Sequence, residues 1–423
     1  MTRLLSPPPA RATPGNQVEV LVGEIAFFRR LAAAFEAARE RIWLTVSFIS
    51  AAFRFPDGRP LWALLHAAAE RGVEVRILAW QNPGFFTQRH LFQGPNVPPL
   101  HPRWRVQGHT SPDAAHCHHE KLWIVDAGAP GAVAFVGGIV MTRADLEERA
   151  RAGRREGRHD VAAEVRGPAA TEVARAFLTR WHTAAADPLA PTALVAPAPR
   201  EGGATVQVAR TLRPGADASR PAGATDILEA WRRGIDAANH LIYMENQHPG
   251  ERSLLAGLAR ALDRGVEVVL VVPGEPMGPI HVARQRRDPR YADVFDALAD
   301  LGRHPGFTLA ALVQPPREHI YVHAKLTLID GCWLSLGSAN FVDLSLEADH
   351  TEQNLIIWDA GVAARTQAAL WAGHGVPPGA RPGPVAQANA ARWRAGEPGS
   401  GLIALDPARY GAEAGAAALW GSK

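Results

Sequence analysis

Two histidines in this chain are each followed at the same spacing by a lysine and an aspartate: His119, Lys121 and Asp126, and again His323, Lys325 and Asp330, both in the pattern H-x-K-x4-D. On a strand, residues i and i+2 share a face, so each imidazole would stand beside an ammonium, with Trp123 or Thr327 continuing that face. Such a pair suits an anion. Brought together, the two copies would set two imidazoles and two positive charges around one tetrahedral phosphorus. Phosphoryl transfer by covalent catalysis needs a nucleophile and an acid for the leaving oxygen, and two histidines fill both roles near neutral pH. A lone H-x-K triplet arises by chance and is more often a solvated or core residue. Two copies in register with a repeated unit argue against that reading.

The elements that position these residues recur in the same order. AARERIWLTVSF (Ala37 to Phe48) parallels AANHLIYMENQH (Ala237 to His248), each reading as a helix end that feeds a strand. RGVEVRILAW (Arg71 to Trp80) parallels RGVEVVLVVP (Arg264 to Pro273), with Gly72 and Gly265 as helix stops before β-branched runs suited to buried strands. HHEKLWIVDAG (His118 to Gly128) parallels VHAKLTLIDGC (Val322 to Cys332). Strands alternating with helices in both halves predict an α/β protein: two α/β/α sandwich domains with mixed sheets, related by a pseudo-twofold axis, with the motifs converging in the cleft between them. Ala184 to Pro199 holds eleven Ala or Pro in sixteen residues, a semi-extended connector. The expected domains are residues 17–183 and 204–375, with a linker at 184–203 and a Gly/Pro/Ala-rich extension, 376–423, wrapping the second half. Trp181 and Trp371 fall at parallel places and are expected as core anchors.

The 423 residues suffice for two or three domains, and 47% hydrophobic with 21% charged residues excludes a disordered chain or a long coiled coil. Lys and Arg total 45 against 42 Asp and Glu, a formal charge of +3 that is too small for a surface built to coat nucleic acid. Cys117 and Cys332 are too few for a disulfide framework, and no paired-cysteine knuckle surrounds them. His116, Cys117, His118 and His119 are adjacent, but neighbours on a strand point to opposite faces, so no metal site is expected there. The first sixteen residues hold four prolines and lack the apolar core of a signal peptide. The longest uncharged stretch, Ala127 to Thr142, has four glycines and a proline in sixteen residues and is too short to span a bilayer. A soluble cytoplasmic protein, able to sit peripherally at a membrane, is the expectation.

The duplicated H-x-K-x4-D motif resembles the signature of the phospholipase D superfamily, and the resemblance runs from about Val18 to Gly375. Supporting matches are Gly337-Ser338-Ala339-Asn340 after the second motif, Val136-Gly137-Gly138 after the first, and Tyr243-Met244-Glu245-Asn246-Gln247, which is similar to the family's I-E-N-Q strand. The resemblance implies a phospholipase D-like fold and a metal-independent, cofactor-free phosphodiesterase that passes through a phosphohistidine. It implies His119 as nucleophile, His323 as acid, Lys121 and Lys325 beside them, and Asn340 as a phosphate-binding amide. It also implies an acidic residue holding each histidine, matched by Asp160 and Glu352, which would fix the tautomer and stabilise the imidazolium. Asp126 and Asp330 complete the motif among the candidate catalytic positions, although a strand-end, structural role suits them better. Gln247, Asn246 and Ser338 are the candidate substrate-binding residues.

The match is asymmetric. Val140 stands where the second half has Asn340, and Thr45, Val46 and Ser47 lie opposite Glu245, Asn246 and Gln247, so only the second half is expected to give a polar strand to the cleft. Two insertions bear on substrate. Gln81 to His116 carries Phe85, Phe86, Leu91 and Phe92, expected to line or cover the cleft, and Arg284, Arg286, Arg287 and Arg290 form a basic loop. Aromatics beside arginines fit an amphiphile with a phosphate head group and also single-stranded nucleic acid. A glycerophospholipid cleaved or exchanged at its head-group diester is the preferred substrate. The alternatives are an endonuclease of the same chemistry, disfavoured by the near-neutral charge, and a catalytically silent protein that binds anionic lipid, disfavoured by the intact motifs.

Overall fold

A computed structural model describes residues 11–50, 52–82, 101–110, 113, 116–143, 146, 157–184, 194–286, 288–314, 318–347, 349–374 and 401–412. Phe85, Phe86 and Phe92, much of the linker and most of the C-terminal extension lie outside them.

The first half runs β1 (Ala12–Val22), α1 (Glu24–Ala37), β2 (Arg41–Val46), α2 (Leu61–Glu70), β3 (Glu74–Gln81), β4 (Trp104–Thr110), β5 (Leu122–Val125), β6 (Val133–Gly137), β7 (Arg158–His159), β8 (Val161–Arg166) and α3 (Pro168–Ala184). Helix α1 forms because Phe27, Phe28, Leu31, Ala32 and Phe35 make one apolar stripe, all buried. After α2 the chain turns at Gly72, φ 95°, a left-handed conformation that costs glycine nothing, and enters β3; Gly265, φ 84°, does the same in the second half. Register places the strands in the order β4, β3, β2, β5, β6, β8, β1: β2, β3 and β4 are parallel, the rest antiparallel.

The second half repeats this plan with β9 (Ala204–Leu212), β10 (Ala224–Thr225), α4 (Asp226–Ala237), β11 (Leu241–Asn246), α5 (Arg252–Asp263), β12 (Glu267–Val272), α6 (Gly278–Gln285), α7 (Pro289–Leu301), β13 (Phe307–Gln314), β14 (Glu318–Val322), β15 (Lys325–Ile329), β16 (Trp333–Gly337), α8 (Asp343–Leu346), β17 (Glu352–Trp358), α9 (Ala360–Gly373) and β18 (Leu402–Ala404). Its order is β13, β12, β11, β15, β16, β17, β9, strand for strand the order of the first sheet. Strand β1 joins the two sheets: Gln17–Val22 pair with β8, and Ala12, Thr13 and Asn16 pair with β9. The segment expected as a basic loop is instead helical at both ends: Arg284 lies in α6, its guanidinium 4.3 Å from the ring of Phe295, and Arg290 lies in α7, which Pro289 opens, while Arg286 follows α6 and Arg287 lies outside the described residues. In the extension, β18 pairs antiparallel with β13.

Both faces of each sheet are covered, which is why β2, β5, β6, β15 and β16 are buried nearly throughout rather than alternating. One core lies under α1 and α2, another under α4, α5 and α7, and a third between the sheets around α3 and α9. Trp181 and Trp371 stand in that middle core. Helix α3 packs also on β9, and α9 on β1, so the layer between the sheets belongs to both halves.

Candidate active site

Each histidine motif enters its strand from a short segment that is pinned by the opposite half. The N–H groups of His119 and Glu120 both donate to the carbonyl of Thr351, at 2.9 and 3.0 Å, and those of His323 and Ala324 donate to the carbonyl of His159, at 2.8 and 3.1 Å. Strand β14 pairs in parallel with β7, and His118 bridges Thr351 in the same sense. The residue after each acceptor carbonyl is a carboxylate. Consequently the histidines are held across the halves: Nδ1 of His119 lies 2.9 Å from Oε1 and 3.0 Å from Oε2 of Glu352, and Nδ1 of His323 lies 2.6 Å from Oδ2 of Asp160. Each Nε2 is thereby the nitrogen left for substrate.

The carboxylates are themselves fixed. Ser338 Oγ donates to Glu352 Oε2 at 2.5 Å and Ser345 Oγ to Oε1 at 2.7 Å, while Asp160 Oδ1 accepts the N–H of Val161 at 2.9 Å. Gly138, the counterpart of Ser338, leaves room at this point: a Cβ there would meet Asp160 Oδ1 at 2.7 Å and Lys325 Cδ at 3.0 Å.

Both lysines are fully buried. Lys121 Nζ donates to Ser47 Oγ at 2.9 Å and to the carbonyl of His119; Lys325 Nζ donates to Gln247 Oε1 at 3.1 Å and to the carbonyl of His323. Two of the three N–H directions of each ammonium are thus anchored, and the third is available to a bound anion. Ser47 therefore does for the first half what Gln247 does for the second. The expectation that only the second half supplies a polar strand is corrected: the repeat had aligned Ser47 with Gln247, and that alignment was the signal.

Electrostatics follow from burial and from the crossed pairs. Burial pushes Lys121 down to about 8 against the pull of Glu352, and Lys325 down to about 7 against Asp160. Burial also lowers the His119 imidazole to about 4, partly offset by Glu352, and holds His323 well below its ordinary value with help from Lys325 and Arg158. Burial acts to raise Glu352, yet the charge and hydrogen bond of His119 outweigh it and keep this carboxyl below its usual range. Asp160, with fewer donors, is raised by burial to about 7 despite Lys325 and Arg158. These mutual influences put His119, Lys121, His323, Lys325, Asp160 and Glu352 in one site.

The other expected residues separate. Ser338 and Asn246 are wholly buried; Ser338 spends its hydroxyl on Glu352, and Asn246 Oδ1 accepts the N–H of Phe341 at 2.9 Å and of His248 at 3.2 Å. They position the site rather than line it. Gln247 holds Lys325 and donates to the Tyr321 hydroxyl at 2.6 Å. Asn340 lies just after β16, and its Oδ1 is buried with no hydrogen-bond partner. Asp126 and Asp330 are at the far ends of β5 and β15, at φ 53° and 50°, where their carboxylates accept the N–H groups of residues 39–41 and 239–241. Those contacts tie a helix-to-strand turn and are structural.

His116 and His118 turn away from the partner of His119: Nε2 of His116 is 3.3 Å from Nδ1 of His118, whose ring stacks on His109 at 3.6 Å, whereas His119 faces Glu352. Among the described residues, a different trio has metal-ligand character, His159, Glu245 and His374. Sequence reasoning passed over it because its members lie far apart in the chain.

Against known families, residues 232–372 match the model described as the PLD-like domain of cardiolipin synthase. Cardiolipin synthase B of Escherichia coli strain K12 is 26% identical over 366 residues, covering 82% of this chain and 77% of that protein. Phospholipase D A of Dictyostelium discoideum is 25% identical over 412 residues, 76% of this chain and 31% of that protein. Among solved structures, the phosphatidylserine synthase of Haemophilus influenzae Rd KW20 superposes with a TM-score of 0.53 at 12% identity, covering 92% of this chain and 88% of that one.

Proposed function

The chain belongs to the phospholipase D superfamily, and from that premise we propose that it hydrolyses or transfers the phosphatidyl group of glycerophospholipids through a phosphohistidine on His119. The observation that carries this reading is the crossed pair of histidine–carboxylate contacts, His119 with Glu352 and His323 with Asp160, closed around two buried lysines. The relatives that match are a cardiolipin synthase and a phospholipase D, both of which act on phospholipids by name.

In the first step Nε2 of His119 gives its lone pair to phosphorus, and the P–O bond to the leaving alcohol breaks. The alcohol oxygen takes a proton from Nε2 of His323. The proton on Nδ1 of His119 stays on that nitrogen and is donated to Glu352, whose ionised carboxylate steadies the positive ring. Lys121, Lys325 and the Asn340 amide face the charge that grows on the non-bridging oxygens, where preorganised donors lower the barrier most. In the second step water or an alcohol gives its proton to His323 and its oxygen to phosphorus, and the P–N bond breaks. The chain's own cations supply the charge stabilisation, so no metal ion enters either step.

The phosphohistidine does not by itself choose between water and alcohol; the cleft does. Phe85, Phe86 and Phe92 are assigned to the acyl side of the lipid on their sequence alone, and peripheral contact with the membrane surface follows from that assignment. Among the described residues no helix is long and apolar enough to cross a bilayer. The test is head-group release from a panel of phospholipids, with and without a short primary alcohol, beside plasmid and single-stranded DNA. The expected result is phosphatidic acid without alcohol and a phosphatidyl-alcohol with it. Cleavage of DNA and a soluble diester with lipid untouched would replace this reading with the nuclease one.

A further inference from the structure

His159, at the end of β7, Glu245, on β11, and His374, just after α9, come together beside the catalytic histidines without taking part in the reaction. Nε2 of His159 lies 2.6 Å from Oε2 of Glu245, Nε2 of His374 lies 2.8 Å from Oε1, and the three ligand atoms all lie within 4.8 Å of one another. Glu245 is fully buried and His374 is 2% exposed.

We propose that His159, Glu245 and His374 bind one divalent transition-metal ion of the zinc class, which clips the first half of the chain to the second. Two imidazole nitrogens and a carboxylate oxygen form a ligand set that suits Zn²⁺ and leaves a fourth position for water; cations that prefer oxygen alone, such as Mg²⁺ and Ca²⁺, are disfavoured by the two nitrogens. Zinc bonds of about 2.0–2.2 Å set neighbouring ligand atoms roughly 3.3 Å apart. With Oε2 of Glu245 as the ligand oxygen, its 2.6 Å contact with His159 opens by about 0.7 Å on binding, and ligand atoms that now lie up to 4.8 Å apart close toward the same spacing by side-chain rotation. Tyr243 supplies the outer support, its hydroxyl donating to Glu245 Oε1 at 2.6 Å. Each Nε2 coordinates through its lone pair, so the proton it now offers Glu245 moves to Nδ1 of the same ring or leaves to solvent.

The position of the ion gives it a consequence. His159 belongs to the first half, whereas Glu245 and His374 belong to the second, and the carbonyl of His159 accepts the N–H groups of His323 and Ala324. Its neighbour Asp160 holds the ring of His323. An ion here fixes the strand that carries both contacts, and it acts on stability, with no part in bond making. The inference is independent of which phosphodiester the site cleaves.

The test uses the full chain after exhaustive chelation and gel filtration. Titration with ZnCl2 followed by calorimetry is expected to give one ion per chain, and titration with CoCl2 a visible d–d absorption band. Excess Zn²⁺ raises the melting temperature, as any ligand of the native state does. His374→Ala and Glu245→Gln are expected to weaken Zn²⁺ binding at least 100-fold, and Tyr243→Phe, which keeps the buried ring and so the fold, by about 10- to 100-fold. Melting in chelator shows that each variant is folded before it is titrated. Absence of binding below millimolar Zn²⁺, or equal affinity in the wild type and all three variants, would overturn the proposal and leave the trio as a hydrogen-bonded network.

Discussion

Nδ1 of His119 lies 2.9 Å from Oε1 of Glu352, a residue 233 positions further along the chain, and His323 is held in the same way by Asp160, 163 positions before it. Each motif histidine is therefore aimed by the half to which it does not belong. If His323 is the acid, its partner matters only when the leaving group needs a proton. Asp160→Asn is expected to lower kcat about 10²-fold or more on a phospholipid, whose leaving alcohol is a poor one, and much less on a p-nitrophenyl phosphodiester. Glu352→Gln is expected to depress both substrates together. Steady-state kinetics on the two substrates decide it; the opposite pattern would exchange the roles of His119 and His323.

The pH dependence follows from two groups that must be in opposite protonation states. As the proposed nucleophile, His119 attacks only when neutral, and with burial holding it at about 4 it loses its lone pair below that pH. Lys121 and Lys325 work only when charged, and burial brings them to about 8 and about 7, while the proton that His323 must give up is held in its pair with Asp160, whose carboxyl burial raises to about 7, so all of these are lost as pH rises through that range. A plot of kcat/KM against pH should be bell-shaped, with an acid limb near pH 4 and an alkaline limb between about 7 and 8. An alkaline limb near the ordinary lysine value of about 10.4 would mean that the ammonium groups are not desolvated in this way.

Gly138 is a position where one methyl group should be felt in catalysis more than in folding. Its Cβ would press on Asp160 Oδ1 and on Lys325 Cδ at once, displacing the group that aims His323 and the cation beside it. Gly138→Ala is expected to reduce kcat by about 10²-fold, the effect of an ångström-scale misplacement. A melting temperature close to that of the wild type, with unchanged activity, would show that the site tolerates the methyl.

Asp126 and Asp330 should behave in the reverse manner. Each carboxylate accepts backbone N–H groups from three consecutive residues of the turn that leads into β2 or β11. Removing either with Asp126→Ala or Asp330→Ala leaves those donors to water and keeps a side chain at positive φ, for a loss on the order of 2–3 kcal/mol in denaturant unfolding. The folded fraction is expected to retain wild-type kcat.

The repeat made most of the fold legible, because the same strand order was written twice and glycines at 72 and 265 punctuated it identically. The motif made the two histidines and lysines legible, since the chemistry demands those residue types at that spacing. What escaped was everything that depends on which half touches which. The crossed contacts of His119 with Glu352 and of His323 with Asp160 are of this kind, and Ser47 and Ser345, which carry no motif, gain their value only from the folded neighbours Lys121 and Glu352 that they hold. Ser338 and Asn246 were placed against substrate because they belong to family-like runs, yet burial turns both inward. The arginines expected in a loop lie partly in helices α6 and α7, where Arg284 stacks on Phe295, because the local sequence also carries the apolar spacing of a helix.

The exchange of carboxylates has a geometric consequence. Each half offers a histidine to its neighbour and accepts one in return, and it does so with equivalent strands, β7 against β14 and residue 118 against residue 351. A surface that gives and receives through the same patch is self-complementary, the property of an isologous two-fold interface. The covalent connection between the halves is therefore not what shapes the reaction centre. It fixes the stoichiometry at one of each, and this allows the two partners to drift apart: serine facing glutamate on one side, glycine facing aspartate on the other. A homodimer could never hold such a division of labour within a single centre.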